Sequence, residues 1–200
     1  MQRTLFSAAL AAALSLAALA PQLARAADGT ITYDGAVTDT TCTVTGGGAA
    51  SGTGNVTVQL PDVSRNILGS AGLTAGKTPF SLILGGGAKC TDGKTAALWI
   101  ETTQTPALDM TTGALRNQAS GGATNVEVQM INPANDQAID LAVNAMVTNG
   151  ATVLAGSNQP AATIAGNTAT LNYAAQYLAV DGAATAGAVT TYLTYSMQYN

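Results

Sequence analysis

Histidine is absent from the 200 residues. A Ser–His–Asp triad, a Cys–His pair and most zinc sites need an imidazole, so these are excluded. Charge is scarce as well, at 9% of residues against roughly 25% in an average soluble domain. With seven Lys and Arg and a formal net charge of −4, the chain has no basic stripe to replace phosphate counterions, which argues against a nucleic-acid partner. Aromatics make up 4% and Trp occurs once, while much of the 47% hydrophobic fraction is Ala. The core cannot be rich in large side chains. No glycine loop reads GxxxxGK[ST], so phosphate binding has no support. The acids Asp28, Asp34, Asp39, Asp62, Asp92, Glu101, Asp109, Glu127, Asp136, Asp140 and Asp181 are scattered. No pair is marked out for glycoside hydrolysis, and solvated loop acids are the default. Asn132-Pro133-Ala134-Asn135-Asp136 is a turn with too few ligands for a calcium loop. Composition disfavours an enzyme and calls for no cofactor or metal.

Long apolar runs are limited to one, Leu5–Ala20, preceded by Arg3 and followed by Pro21 and Ala24-Arg25-Ala26. A basic start, an apolar stretch and a small-x-small site make a secretory signal peptide over residues 1–26, with an uncleaved anchor as the alternative. The run is shorter than the ~20 residues that span a bilayer. The mature chain is then Ala27–Asn200. It keeps Arg65, Lys77, Lys89, Lys94 and Arg116 against eleven acids, a net charge of −6. Its polar surface must be mostly Thr, Asn, Ser and Gln, with little electrostatic steering or salt dependence. Two cysteines, Cys42 and Cys90, are separated by 48 positions. In an exported chain an even pair reads as a disulfide, a reactive thiol pair being the competing reading. Such a bridge is worth up to roughly 4 kcal/mol by loop entropy.

No linker separates domains. Gly46–Gly54, Gly85-Gly86-Gly87, Gly121-Gly122 and Asp181-Gly182 mark flexible loops or turns. Between them lie short runs rich in Thr, Val, Ile, Tyr and Leu: Val56–Leu60, Phe80–Leu84, Ala96–Thr103, Val126–Met130 and part of Ile164–Tyr177. Strands at this spacing with glycine turns predict an all-β antiparallel sandwich. Ile139–Val147 fits strand or helix. Trp99, within Ala97-Leu98-Trp99-Ile100, reads as core, with a sugar platform as the alternative.

The two ends of the mature chain are the most regular. Period two puts Gly29, Ile31, Tyr33, Gly35 and Val37 on one face of residues 29–38. A central glycine weakens a strand unless something must approach closely there. Towards the C-terminus, Val189, Thr191, Leu193, Tyr195, Met197 and Tyr199 share a face after Gly187. A long apolar strand at a terminus invites aggregation unless covered.

With these ends the chain resembles the pilin subunits of chaperone–usher fimbriae, of the type 1 and P-pilus kind. The shared features run along the mature chain in order. An alternating N-terminal stretch with Gly35 leads to Cys42. Cys90 follows an apolar strand containing Pro79-Phe80 and Leu82–Leu84. Tyr173–Tyr177 precedes the last turn, Gly187 lies fourteenth from the end and Tyr199 is penultimate. The insert Gly85-Gly86-Gly87-Ala88-Lys89 departs from the family, where the Cys often follows the strand almost directly. The resemblance implies an immunoglobulin-like sandwich that is incomplete and is completed by a donor strand from a neighbouring subunit. It implies a donor extension over residues 27–40, with Ile31, Tyr33, Gly35 and Val37 as its inserting face, and a pilin domain over 41–200. Gly187, Val189, Leu193, Tyr195, Met197 and Tyr199 would line the groove and pair with the chaperone. The implied partners are identical or related pilin subunits, a periplasmic chaperone and an outer-membrane usher. A host receptor would be reached through a tip subunit. Burial of Ile31, Tyr33 and Val37 would contribute roughly 5–9 kcal/mol. The implied function is the major shaft subunit of a cell-surface fimbria supporting adhesion, exported through the periplasm. The alternative is a secreted monomeric β-sandwich that binds glycans.

Overall fold

β-branched and aromatic side chains fit a pleated, half-buried surface, and strand is the main regular structure, at 42% against 5% helix. The computed structural model describes residues 40–85, 88–144, 147–148, 151–152 and 157–200. The strands are β1 (Thr43–Gly48), β2 (Ala50–Ser51), β3 (Thr57–Val58), β4 (Thr74–Gly85), β5 (Thr95–Ile100), β6 (Leu115–Arg116), β7 (Val126–Asn132), β8 (Gln137–Ala138), β9 (Val147–Thr148), β10 (Ala151–Thr152), β11 (Ala161–Thr163), β12 (Ala169–Ala179) and β13 (Tyr195–Tyr199). Short 3-10 turns occupy Arg65–Leu68 and Thr102–Gln104.

A large sheet has the order β1-β4-β12-β7-β6, with β8 also on β7, and a small one the order β11-β5-β13. All their pairings are antiparallel. Period two sorts the side chains. Phe80, Leu82 and Leu84 of β4, Leu171, Tyr173 and Ala175 of β12, and Val128 and Met130 of β7 point into one core. Ala96, Leu98 and Ile100 of β5 meet them there. Phe80 and Tyr173 stack with ring centroids 5.5 Å apart. This is a two-layer sandwich whose interior is filled by one apolar face of each sheet.

Several expectations need correction. The glycine run was expected to be a loop from Gly46, yet Gly46–Gly48 continue β1 along β4. Gly47 lies beside the side chains of Ser81 and Ile83 of β4, whose ends would have to shift to admit a Cβ. Val56–Leu60 narrows to a ladder of two residues, Thr57–Val58. Over its described residues, Ile139–Asn144 and Val147, the stretch Ile139–Val147 is neither one strand nor a helix. Ile139 and Leu141 are buried, the Asp140 carboxylate accepts the Ala142 N–H at 2.9 Å and turns the chain, and of these residues only Val147 belongs to a strand. By contrast, the expectation of a strand in part of Ile164–Tyr177 holds: the ladder starts at Ala169, after a turn at Gly166-Asn167 in which both residues have positive φ. Trp99 is half-buried and outside the core, because Leu98 and Ile100 on either side of it face inward.

Candidate functional site at the edge of the C-terminal strand

Gly187 opens the C-terminal segment, and the structure gives a steric reason for it. A Cβ there would sit 2.7 Å from the Gly122 carbonyl carbon and 3.0 Å from the Ala123 Cα. The close approach lets the Ala123 N–H donate to the Ala188 carbonyl at 3.0 Å. Asn117 fills the remaining valences. Its amide nitrogen donates to the carbonyls of Ala123 (2.8 Å) and Ala188 (2.9 Å), and its Oδ1 accepts the Thr190 N–H at 2.9 Å. Further on, the Thr194 N–H donates to the Thr105 hydroxyl at 3.0 Å. Residues 187–194 are therefore held by loop groups, and the ladder expected over the whole segment is confined to Tyr195–Tyr199.

β13 runs antiparallel to β5, with Tyr195 opposite Ile100, Met197 opposite Leu98 and Tyr199 opposite Ala96. Thr95 and Asn200 exchange both backbone bonds, at 2.8 and 3.0 Å, and the Glu101 N–H donates to the Thr194 carbonyl at 2.9 Å. These bonds set the phase of the ladder. Even-numbered residues of β13 bond to β5, and Tyr195, Met197 and Tyr199 turn their N–H and C=O groups to the far edge. Among the described residues no strand pairs with that edge. β5 is closed differently: beyond β11, the Asn144 side chain accepts from Ile100 N–H at 2.6 Å and donates to its carbonyl at 2.9 Å.

The same odd-numbered residues aim their side chains at the core. Val189, Leu193, Tyr195, Met197 and Tyr199 all pack against it and are only partly buried. Their neighbours on β5 are sealed: Ala96 and Ile100 are 0% exposed and Leu98 2%. Two tyrosine hydroxyls reach across to the first strand's side. Tyr199 Oη accepts the Cys42 N–H at 3.1 Å, and Tyr195 Oη donates to the Gly54 carbonyl at 2.6 Å. Burial raises the Tyr195 phenol above its ordinary pKa, and the nearby Tyr199 adds to this. Cys42 and Cys90 form a disulfide, Cα–Cα 4.5 Å, so the residue that meets Tyr199 is fastened to the start of the β5 side. The expected donor residues Ile31, Tyr33, Gly35 and Val37 lie outside the described residues.

A second polar cluster lies away from this edge. Glu127 of β7 is 3% exposed and accepts from the Thr112 hydroxyl at 2.6 Å. Burial pushes its carboxyl up, with the Thr112 bond opposing. Asp109, which pairs with Arg116 at 2.8 Å, is held low by the Thr111 N–H and by Arg116. Among the described residues no three His, Cys, Asp or Glu side chains converge as a metal site.

Residues 60–200 match the family model of the type-1 fimbrial protein A, FimA. The chain belongs to this family. It is 40% identical over 187 residues to the major fimbrial subunit SMF-1 of Stenotrophomonas maltophilia (strain K279a), covering 92% of this chain and 99% of that one. It is also 40% identical over 189 residues to the F17 fimbrial protein of Escherichia coli, covering 92% and 94%. Among solved structures, the type I fimbria protein of Burkholderia pseudomallei is 20% identical, covers 80% of this chain and 99% of that one, and superposes with a TM-score of 0.49. The chain is thus a structural subunit of a surface fimbria that assembles with other pilin subunits.

Sequence reasoning found the half-buried row of this pilin, because period two is visible in one segment. It missed Asn117, Thr105 and Asn144, which act on residues 44 to 89 positions away. None of the three stands in a periodic pattern, so no local signal marks them.

Proposed function

We propose that this fimbrial protein is the major shaft subunit, polymerised by donor-strand exchange. The observation that carries the reading is β13. Its apolar side chains are half-covered, and the backbone groups of Tyr195, Met197 and Tyr199 face an edge that no described strand occupies. An extended segment laid along that edge gains ladder bonds from the backbone and burial from alternate side chains. Residues 1–26 are the export signal, and 27–40 are the segment given to a neighbour, with Ile31, Tyr33, Gly35 and Val37 inserted. Residues 41–200 are the pilin domain that receives one. Gly187, Val189, Leu193, Tyr195, Met197 and Tyr199 form the receiving strand.

A terminal strand with an open apolar edge is an aggregation hazard during export. A periplasmic chaperone covers it first, and an outer-membrane usher exchanges that cover for the next subunit's extension. The role is structural rather than catalytic, and receptor binding falls to a tip subunit. Deletion of residues 27–38 behind an intact signal tests this. The shortened subunit is expected to copurify with the chaperone and to give no ladder on an unheated SDS gel of sheared surface material. Fibres of normal length from this deletion would overturn the assignment.

A further inference from the structure

The glycine-rich stretch after β1 does something that its composition did not suggest. The chain turns at Ala49 and comes back along the edge of β1 that β4 leaves free. Gly46 N–H donates to the Gly52 carbonyl at 2.9 Å and Gly54 N–H to the Val44 carbonyl at 2.8 Å. Thr45 stands opposite Thr53. The approach depends on glycine. A Cβ at Gly46 would lie 2.7 Å from the Ser51 nitrogen and 2.8 Å from the Ala50 carbonyl carbon, and Gly52 has φ +100°. The returning arm Gly52–Gly54 thereby takes up the backbone groups of Val44 and Gly46. Val56, Val58 and Leu60, just beyond it, pack on the core.

The far end of the arm is tied to β13. Tyr195 Oη donates to the Gly54 carbonyl at 2.6 Å. Four residues on, Tyr199 Oη meets Cys42 N–H instead. The free edge of β13 therefore faces a different neighbour at each end. At the Tyr199 end the wall is the disulfide-fastened Cys42. At the Tyr195 end it is a glycine arm that hangs on β1 by two backbone bonds and on β13 by one hydroxyl.

We propose that the arm Gly52–Gly54 is a movable wall of the receiving groove and that Tyr195 is the positioning residue that latches it. The occupant admitted is the N-terminal segment of a second copy of this chain, so the inference rests on the donor-strand reading above. A strand entering along β13 seats beside Tyr199 against a fixed wall. It seats beside Tyr195 only when the hydroxyl releases Gly54. The latch sets the rate of entry, and the backbone ladder sets how long the seated strand stays.

Tyr195→Phe removes the hydroxyl and keeps the ring. A single hydrogen bond of this kind corresponds to about a two- to tenfold effect. In the full secreted chain, amide exchange at Gly46 and Gly54 is expected to rise by about that factor, with Leu82–Leu84 of β4 unchanged. A synthetic peptide of residues 27–40 is expected to associate faster by a similar factor. Tyr199→Phe, which frees Cys42 N–H and leaves the arm tied, is expected to keep arm exchange at the wild-type value. Unchanged arm exchange in Tyr195→Phe overturns the latch. Faster arm exchange with an unchanged peptide association rate overturns its part in strand entry. A rise in exchange throughout the sandwich shows general loosening and also overturns it. Failure of the peptide to bind wild type and variant alike overturns the donor-strand reading itself, while the exchange data still judge the latch.

Discussion

Gly187→Ala probes whether the start of the receiving segment is held by backbone contact. The added methyl would lie 2.7 Å from the Gly122 carbonyl carbon and 3.0 Å from the Ala123 Cα, against the 3.5–4.0 Å at which carbon atoms pack best. Both neighbours are main chain, so no side chain can swing aside and the two segments must part. Parting strains the Ala123–Ala188 bond and the contacts of Asn117 to Ala123, Ala188 and Thr190. Overpacking costs about 1–3 kcal/mol and each weakened hydrogen bond about 0.5–1.5 kcal/mol. With the four bonds strained rather than broken, together worth about one lost bond, the sum expected is about 2–4 kcal/mol, a large part of the roughly 5–15 kcal/mol that holds a domain together.

Urea denaturation of the secreted subunit reads this directly. The midpoint is expected to fall with the slope unchanged, because the exposed surface of the unfolded chain is the same. Gly187 also has φ +159°, which alanine adopts only with strain, so the backbone effect has the same sign as the steric one. Asn117→Ala strikes the same junction, so the double variant is expected to lose less than the two single losses combined. A Gly187→Ala variant within about 0.5 kcal/mol of wild type, or strict additivity with Asn117→Ala, would refute the reasoning.

Replacing Cys42 and Cys90 together with Ala is expected to cost up to about 4 kcal/mol by loop entropy, lowering the melting temperature by about 2–4 °C per kcal/mol in a domain of this size; a loss under about 1 kcal/mol would show that the bridge constrains little. Burial raises the Glu127 carboxyl, so the folded protein holds that proton longer than the unfolded chain does. Its contribution is full below the ordinary carboxylate pKa and is lost as pH rises through the raised value. Asp109, held low, contributes above the ordinary value and loses that as pH falls through its own lowered one. Glu127→Gln is expected to remove the decline on the rising side and to change the acid side only through the weaker Asp109–Glu127 interaction, as read by melting temperature across pH.

Legibility in the sequence followed periodicity. The alternation Val126–Met130 and the row Val189–Tyr199 were readable because period two is carried by side chains in one short window, and both rows point where that period puts them. The extent of pairing was not readable, because ladder bonds depend on what lies opposite. Residues 187–194 meet Asn117, Gln118 and Thr105 rather than a strand. Glycine carries no face, so the continuation of β1 through Gly46–Gly48 and the return of Gly52–Gly54 left no trace in the pattern. Trp99 was misplaced because an apolar run such as Ala97–Ile100 hides its own alternation: Leu98 and Ile100 take the inner face and leave the larger ring outside.

The phase of β13 joins the stability of the subunit to its capacity for assembly. Even-numbered residues direct their backbone bonds to β5, so the strand stays in place whether or not a neighbour is present. Odd-numbered residues turn side chains inward and backbone outward, and Tyr195, Met197 and Tyr199 each belong to the core and to the open edge at once. In the proposed fibre an incoming strand therefore finds its hydrogen-bond partners and its apolar floor on the same residues. Neither contribution needs a charge, which fits a chain with 9% charged residues and leaves little for salt to screen. A charged side chain at Met197 would be carried into both the core and the seam, so the sequence of this row is constrained from two sides, while Ser196, exposed on the outer face, answers to β5 and to the Glu101 carboxylate that accepts its hydroxyl.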